Sequence, residues 1–210
     1  MAYADFTLDM LIEQFGLQIQ EDPAFLAGFA PLPISSLLRQ ELEENVPLAR
    51  DISTEKARSE FIIAPVLVEV RRQCQRRISI FSGVEFTVDS AQGLRGVCDF
   101  LLSLSPLQLT IQAPVVSVVE AKNENMKAGI AQCTAEMLAA QRFNTARRRA
   151  LPAVYGAVTT GILWRFLRLQ DTTVSVDSTE HAIEQVEQIV GILVGMVKEA
   201  AGWTVDARMG

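Results

Sequence analysis

The stretch Val115-Val116-Ser117-Val118-Val119-Glu120-Ala121-Lys122 decides the fold. It opens as a β-branched, mostly apolar run, which reads as a buried strand. It closes with two opposite charges one residue apart. Strand side chains alternate between faces, so Glu120 and Lys122 share a face while Ala121 turns back into the packing. A second strand-like run, Gly96-Val97-Cys98-Asp99-Phe100-Leu101, brings another carboxylate to an apolar strand. Acids at core positions are costly unless paired or metal-bound, so two of them on neighbouring apolar strands point to a site.

On the C-terminal side, Asn123 to Asn125 end the strand and offer helix caps. A helix follows from about Met126 to Phe143, with Ile130, Cys133, Met137 and Leu138 apolar. Gln132 and Glu136 lie one turn apart on another of its faces. Strands are predicted over 154–160, 163–169 and 172–176. Asp177 or Ser178 then caps a final helix reaching about Ala201, with His181 solvated in its first turn. On the N-terminal side, strands are expected over 77–81, 84–88 and 95–102, with Gly83 breaking the first from the second. Before them, residues 53–74 read as a helix capped by Ser53. Ala57, Phe61, Ala64 and Val68 form its apolar face, Glu60 lies at the edge of that face, and Pro65 kinks or restarts it. A short connection strand is placed over 107–112. Residues 1–50 hold short helices over 6–15 and 35–45, and are expected to form an N-terminal helical extension packed on a main domain of residues 51–205. This order gives an α/β fold with a mixed central β-sheet flanked by α-helices. No GxGxxG follows a strand and no Walker lysine motif is present, so a dinucleotide fold is excluded.

The chain has 210 residues and a net charge of −6. The acidic balance counts against nonspecific nucleic-acid binding, which depends on phosphate neutralisation. The basic residues are nevertheless clustered, as Arg71, Arg72, Arg76, Arg77 and as Arg142, Arg147, Arg148, Arg149. Cys74, Cys98 and Cys133 are far apart, and the one histidine stands away from them, so neither a zinc site nor a disulfide scaffold is expected. No signal peptide and no membrane-spanning run is visible, and a cytoplasmic location is expected.

Asp99 and Glu120 together suit Mg²⁺ or Mn²⁺, hard cations that take one or two carboxylates and keep several waters. The backbone carbonyl of Ala121, at a strand end, can add a third oxygen. Such an ion polarises a phosphoryl oxygen and acidifies bound water. Lys122, on the same face, can hold that water or stabilise charge developing on a phosphate.

An Asp on one strand, followed about twenty residues later by Glu-x-Lys on the next, resembles the motif of the PD-(D/E)XK nuclease superfamily, the restriction-endonuclease-like fold. The matching residues here are Asp99 and Glu120-Ala121-Lys122, and the likeness spans roughly residues 53–176. The proline that often precedes the Asp is replaced by Cys98. The resemblance implies Asp99, Glu120 and the Ala121 carbonyl as metal ligands and Lys122 as the water-orienting or charge-stabilising group. It further implies Glu60 as an accessory ligand, and Gln132 as a residue positioning Lys122 or the substrate phosphate. The expected activity is metal-dependent hydrolysis of DNA, with RNA as the alternative substrate. The competing expectation is a nuclease-like binding or assembly module that does not cut. The N-terminal part and the last helix are candidates for a homodimer interface.

Overall fold

A computed structural model of the chain describes residues 1–22, 24–122 and 125–203. After a 3₁₀ turn at Tyr3–Asp5 come α1 (Leu8–Phe15), β1 (Gln18–Glu21), α2 (Ser36–Ile52) and α3 (Glu55–Arg58). A π-helical turn at Ser59–Ile63 leads into α4 (Ala64–Gln73), then β2 (Ser79–Glu85), β3 (Val97–Ser103), β4 (Val115–Ala121) and α5 (Met126–Ala146). The chain continues through β5 (Val154–Thr159), β6 (Leu163–Gln170), β7 (Thr173–Val176), β8 (His181–Ala182) and α6 (Val186–Ala201).

Among the described residues eight strands form one sheet, in the order β1-β7-β6-β5-β4-β3-β2, with β8 added beside β6. β4 pairs with β5 in parallel, and β1 with β7. The other pairings are antiparallel. A parallel pair needs a long crossover, and α5 supplies it between β4 and β5. The predicted alternation along β4 is realised. Val118 belongs to the core cluster that holds Ile130, Cys133 and Met137 of α5, while Val119 belongs to the cluster on the opposite face with Ile63 of the π turn, Val66 of α4, and Val190 and Leu193 of α6. Every residue of β4 is buried. The mixed sheet flanked by helices is therefore as expected.

Several local expectations are corrected. Residues 1–50 are not only helical, since β1 extends the sheet edge, and the division at residue 50 falls inside α2. That helix runs on past Asn45, through Pro47, to Ile52. Ser53 does not cap the next helix. It adopts a left-handed conformation (φ 54°) closing α2, and Thr54 caps α3 by accepting from the Ala57 amide at 3.1 Å. Pro65 stands in the first turn of α4, which begins at Ala64 directly after the π turn, so the helical run restarts at the proline, one of the two outcomes expected. Proline lacks an amide and crowds the carbonyl one turn back, and the wider π turn just before it absorbs that misfit. Gly83 does not end β2, because it takes a positive φ of 61° while the ladder to β3 continues on both sides of it. No strand forms over 107–112.

His181 lies in β8, not in a helix. Its Nε2 sits 2.7 Å from Asp177 Oδ2, and its ring lies tilted against Phe166, with centroids 5.4 Å apart. Asp177 is buried in that contact, and the last helix begins only at Val186. Of the expected caps after β4, Asn125 does accept from the Ala128 amide at 3.0 Å, while Asn123 lies outside the described residues.

Candidate active site

The site begins where two strands part. The β3–β4 ladder ends with Phe100 paired to Val119. One step further, the same register sets Asp99 opposite Glu120, on one face of the sheet. The next amide of β4 that faces β3, that of Ala121, is not met by a β3 carbonyl. Asp99 Oδ2 accepts it at 2.8 Å instead. A side chain has thus replaced the ladder at the point of divergence. The Ala121 carbonyl faces the same side as its amide, beyond the last strand pair.

From Glu120 a chain of hydrogen bonds runs into α5. Lys122 Nζ donates to Glu120 Oε1 at 2.5 Å and to Gln132 Oε1 at 3.0 Å. Gln132 Nε2 donates onward to Glu136 Oε1 at 3.1 Å. Helix and strand are also tied at their far ends, where Asn144 accepts from the Val115 amide and donates to the Val115 carbonyl, both at 2.7 Å. Gly129 makes the near approach possible. A Cβ there would lie 2.5 Å from Val158 Cγ1 and 2.8 Å from Lys122 Cγ. The absent side chain is the space along which Lys122 runs.

Burial sets the electrostatics. Glu120 is 1 % exposed and Glu136 is fully buried. Each has one carboxyl oxygen, Oε2, without a hydrogen-bond partner. Burial first, and then the neighbouring charge of Asp99, push the Glu120 carboxyl up to about 8, against the opposing pull of Lys122. Burial first, and then the charge of Glu120, also raise the Glu136 carboxyl well above the ordinary carboxylate range. Lys122 moves the other way. Burial disfavours its charge, but the bond to Glu120 and the charges of Glu120, Glu55 and Asp99 outweigh this and raise its pKa. Lys122 is thus a fixed cation beside two carboxyl groups whose charge burial disfavours.

The fold brings together Asp99, Glu120, Ala121, Lys122 and Gln132. Glu60 stands apart in its contacts. Its side chain is 54 % exposed and paired with Lys56 at 2.8 Å. The helix acid whose charge reaches Lys122 is Glu55, five residues earlier. Glu136 is the residue that sequence reasoning placed beside Gln132 without assigning it to the site. A signal was available, since it is a lone acid amid Ile130, Ala131, Cys133, Ala135, Met137 and Leu138 in a helix that is buried on every side. Three of the clustered arginines are occupied structurally. Arg71 donates to the Ile78 carbonyl, Arg72 binds Glu69 and Ser35, and Arg142 binds Asp89 and Gln92.

Among the described residues no group of three or more His, Cys, Asp or Glu is arranged to hold a metal ion. What exists is a two-carboxylate set with a backbone oxygen beside it. A hard divalent cation that keeps most of its waters needs no more. The buried Oε2 of Glu120, lacking any partner, is the oxygen that such an ion would satisfy. Compared with known proteins, the chain matches no protein-family model and no curated protein. Among the described residues no helix is long and apolar enough to cross a membrane.

Proposed function

We propose that the chain is a metal-dependent phosphodiesterase of the PD-(D/E)XK type, acting on the DNA backbone with Mg²⁺ or Mn²⁺. One observation carries this reading: Asp99 and Glu120 stand opposite each other where β3 leaves β4, with Lys122 held on the same face between Glu120 and Gln132. The succession of helix, three strands, crossover helix and parallel strand over residues 55–159 supports it.

Asp99, Glu120 and the Ala121 carbonyl would hold the ion, which when bound supplies positive charge against a phosphoryl oxygen and acidifies water. The rest is done by side chains. Lys122 stays protonated and places a cation where negative charge grows on the phosphorus oxygens. Gln132 fixes the ammonium by accepting from it, and so limits its rotamers. Burial and the charge of Glu120 both disfavour the ionised form of Glu136, which limits repulsion between the two buried carboxyls before substrate arrives.

The test is cleavage of plasmid, single-stranded DNA and RNA with Mg²⁺, Mn²⁺ or EDTA, run beside Asp99→Asn and Lys122→Ala. Cleavage is expected to need the cation and to fall about 100-fold or more in each variant, with melting temperatures close to the native value. A variant that melts normally and cuts at the native rate removes its residue from the site. A native protein that binds Mn²⁺ and cuts none of the three substrates is a nuclease-like binding module instead.

A further inference from the structure

At the opposite end of the sheet, three helices finish side by side, and all three close in the same way. After α4, the Gln75 amide donates to the Arg72 carbonyl and the Arg76 amide to the Arg71 carbonyl. After α5, Arg148 donates to Thr145 and Arg149 to Asn144; after α6, Gly202 donates to Glu199 and Trp203 to Lys198. Each is the paired reversal that ends a helix through a left-handed residue. The left-handed positions are Gln75, Arg148 and Gly202, with φ of 55°, 56° and 63°, and after α4 Arg76 is left-handed as well, with φ 57°. The residue just after each of them, Arg76, Arg149 or Trp203, lines one shared cavity of about 390 Å³. Arg77 completes it, its guanidinium 3.7 Å above the Trp203 ring, with Leu104 and Pro106 as further lining. Two arginine clusters more than seventy residues apart in the chain thus converge on a single concavity.

Arginines after helix C-termini commonly offset the helix dipoles. The balance here goes beyond that. Three C-termini present roughly −0.5 charge each, about −1.5 together, against the three guanidiniums that line the cavity, with no carboxylate among the lining residues. The excess is positive. The volume also lies within the roughly 300–1,000 Å³ typical of small-ligand pockets. Guanidinium forks match phosphate oxygens, and an indole beside them offers a face for a base.

We propose that this cavity is a second binding site, which holds the phosphate of a nucleotide or of a nucleic-acid strand. It stands apart from the carboxylates. Asp99 lies near the start of β3 and Leu104 just past its end, roughly 16 Å along the strand. The proposal does not depend on cleavage.

The intact protein in EDTA is titrated by calorimetry with inorganic phosphate, adenosine monophosphate and a short single-stranded oligonucleotide. Trp203 fluorescence reports the location, because the other tryptophan, Trp164, is fully buried. Binding is expected with a Trp203 response. In Arg76→Ala/Arg149→Ala, whose altered side chains are exposed, affinity should fall at least tenfold, while Asp99→Asn binds like the native protein. The salt dependence of oligonucleotide binding should also lose about 0.7 in slope for each phosphate contact removed. Binding of the mononucleotide and phosphate as well as the strand identifies a nucleotide pocket, and binding of the strand alone identifies a strand-tracking site. No binding of any probe overturns the proposal, as does a double variant that melts normally and binds unchanged.

Discussion

Glu69 and Glu136 are both fully buried glutamates on helices, one on each side of the sheet, and they behave oppositely. Glu69 accepts from the Ser35 amide at 3.1 Å, from the Ser35 hydroxyl at 2.8 Å and from Gln73 at 3.1 Å, and it pairs with Arg72. Burial works against its charge, but those donors outweigh it and hold its pKa below the ordinary carboxylate range. Glu136 has a single donor, Gln132, and an oxygen with none. Burial and the charge of Glu120 hold its pKa well above the ordinary carboxylate range. Burial alone therefore does not mark a functional acid; burial with unmet hydrogen-bonding capacity does. Glu69 staples α4 to the segment before α2. Glu136 and Glu120 each keep one carboxyl oxygen in reserve, without a partner.

Substitution by glutamine is the largest test of this contrast. Glu69→Gln removes the charge that Arg72 and the Ser35 donors complement, and it should destabilise the protein by about 2–3 kcal/mol in denaturant unfolding. Glu136→Gln should move the other way at pH 8. Burial disfavours the charge of the native carboxyl, whereas glutamine is neutral in both states. Its unfolding midpoint is expected to rise. Loss of stability in both variants would erase the distinction drawn between the two acids.

The pH dependence sharpens the same comparison. Glu120 ionises at about 4.3 in an unfolded chain and only near 8 in the fold. Between those values the folded state keeps a proton that the unfolded state has released, so this group's stabilisation is complete below the lower value and declines as pH rises toward the upper one. Glu69 has the reverse sign. Its contribution is present above the ordinary carboxylate pKa and is lost as pH falls through its depressed value. Unfolding in EDTA should show stability declining by a few kcal/mol from about pH 5 to 8. The double variant Glu120→Gln/Glu136→Gln should flatten that decline, and Glu69→Gln should leave it. Mn²⁺ should bind more tightly as pH rises to about 8, with proton release on binding.

Much of this arrangement is legible in the sequence, and the illegible part has physical causes. The alternation of Val118 and Val119, the acid on each of two apolar strands, and the Glu-x-Lys spacing depend on neighbours within one strand, where period two is a strong constraint. They placed Asp99, Glu120 and Lys122 on one face. Gln132 came from resemblance alone, and the hydrogen bond to Lys122 gives it a physical place. Glu136 was missed because helical periodicity assigns a polar face to solvent, and α5 has no solvent face over residues 129–140. Glu60 comes from the resemblance and from its place at the edge of an apolar stripe; the π turn from Ser59 to Ile63 lies within that stretch and alters the helical phase around it. His181 was assigned to a helix because Asp177 looks like a cap, whereas the buried Asp177–His181 contact is tertiary.

Smaller effects test how the reserve is positioned. Gly129→Ala places a methyl 2.5 Å from Val158 Cγ1 and 2.8 Å from Lys122 Cγ. Val158 is a buried, β-branched residue of a central strand and cannot swing aside, so Lys122 must move. A loss of about 1–3 kcal/mol is expected, with cleavage falling more steeply than stability implies. The least effect belongs to the helix acids. Glu60→Gln removes one side of an exposed pair with Lys56 and should change stability by less than about 0.5 kcal/mol. If Glu60 is the accessory ligand that the resemblance implies, the variant should weaken Mn²⁺ binding all the same. If Glu55 is the acid that faces the site, as its charge on Lys122 indicates, Glu55→Gln should lower the Lys122 pKa and slow cleavage several-fold while Glu60→Gln does neither. Nuclear magnetic resonance titration of Lys122 in the two variants separates these outcomes even in a protein that does not cut.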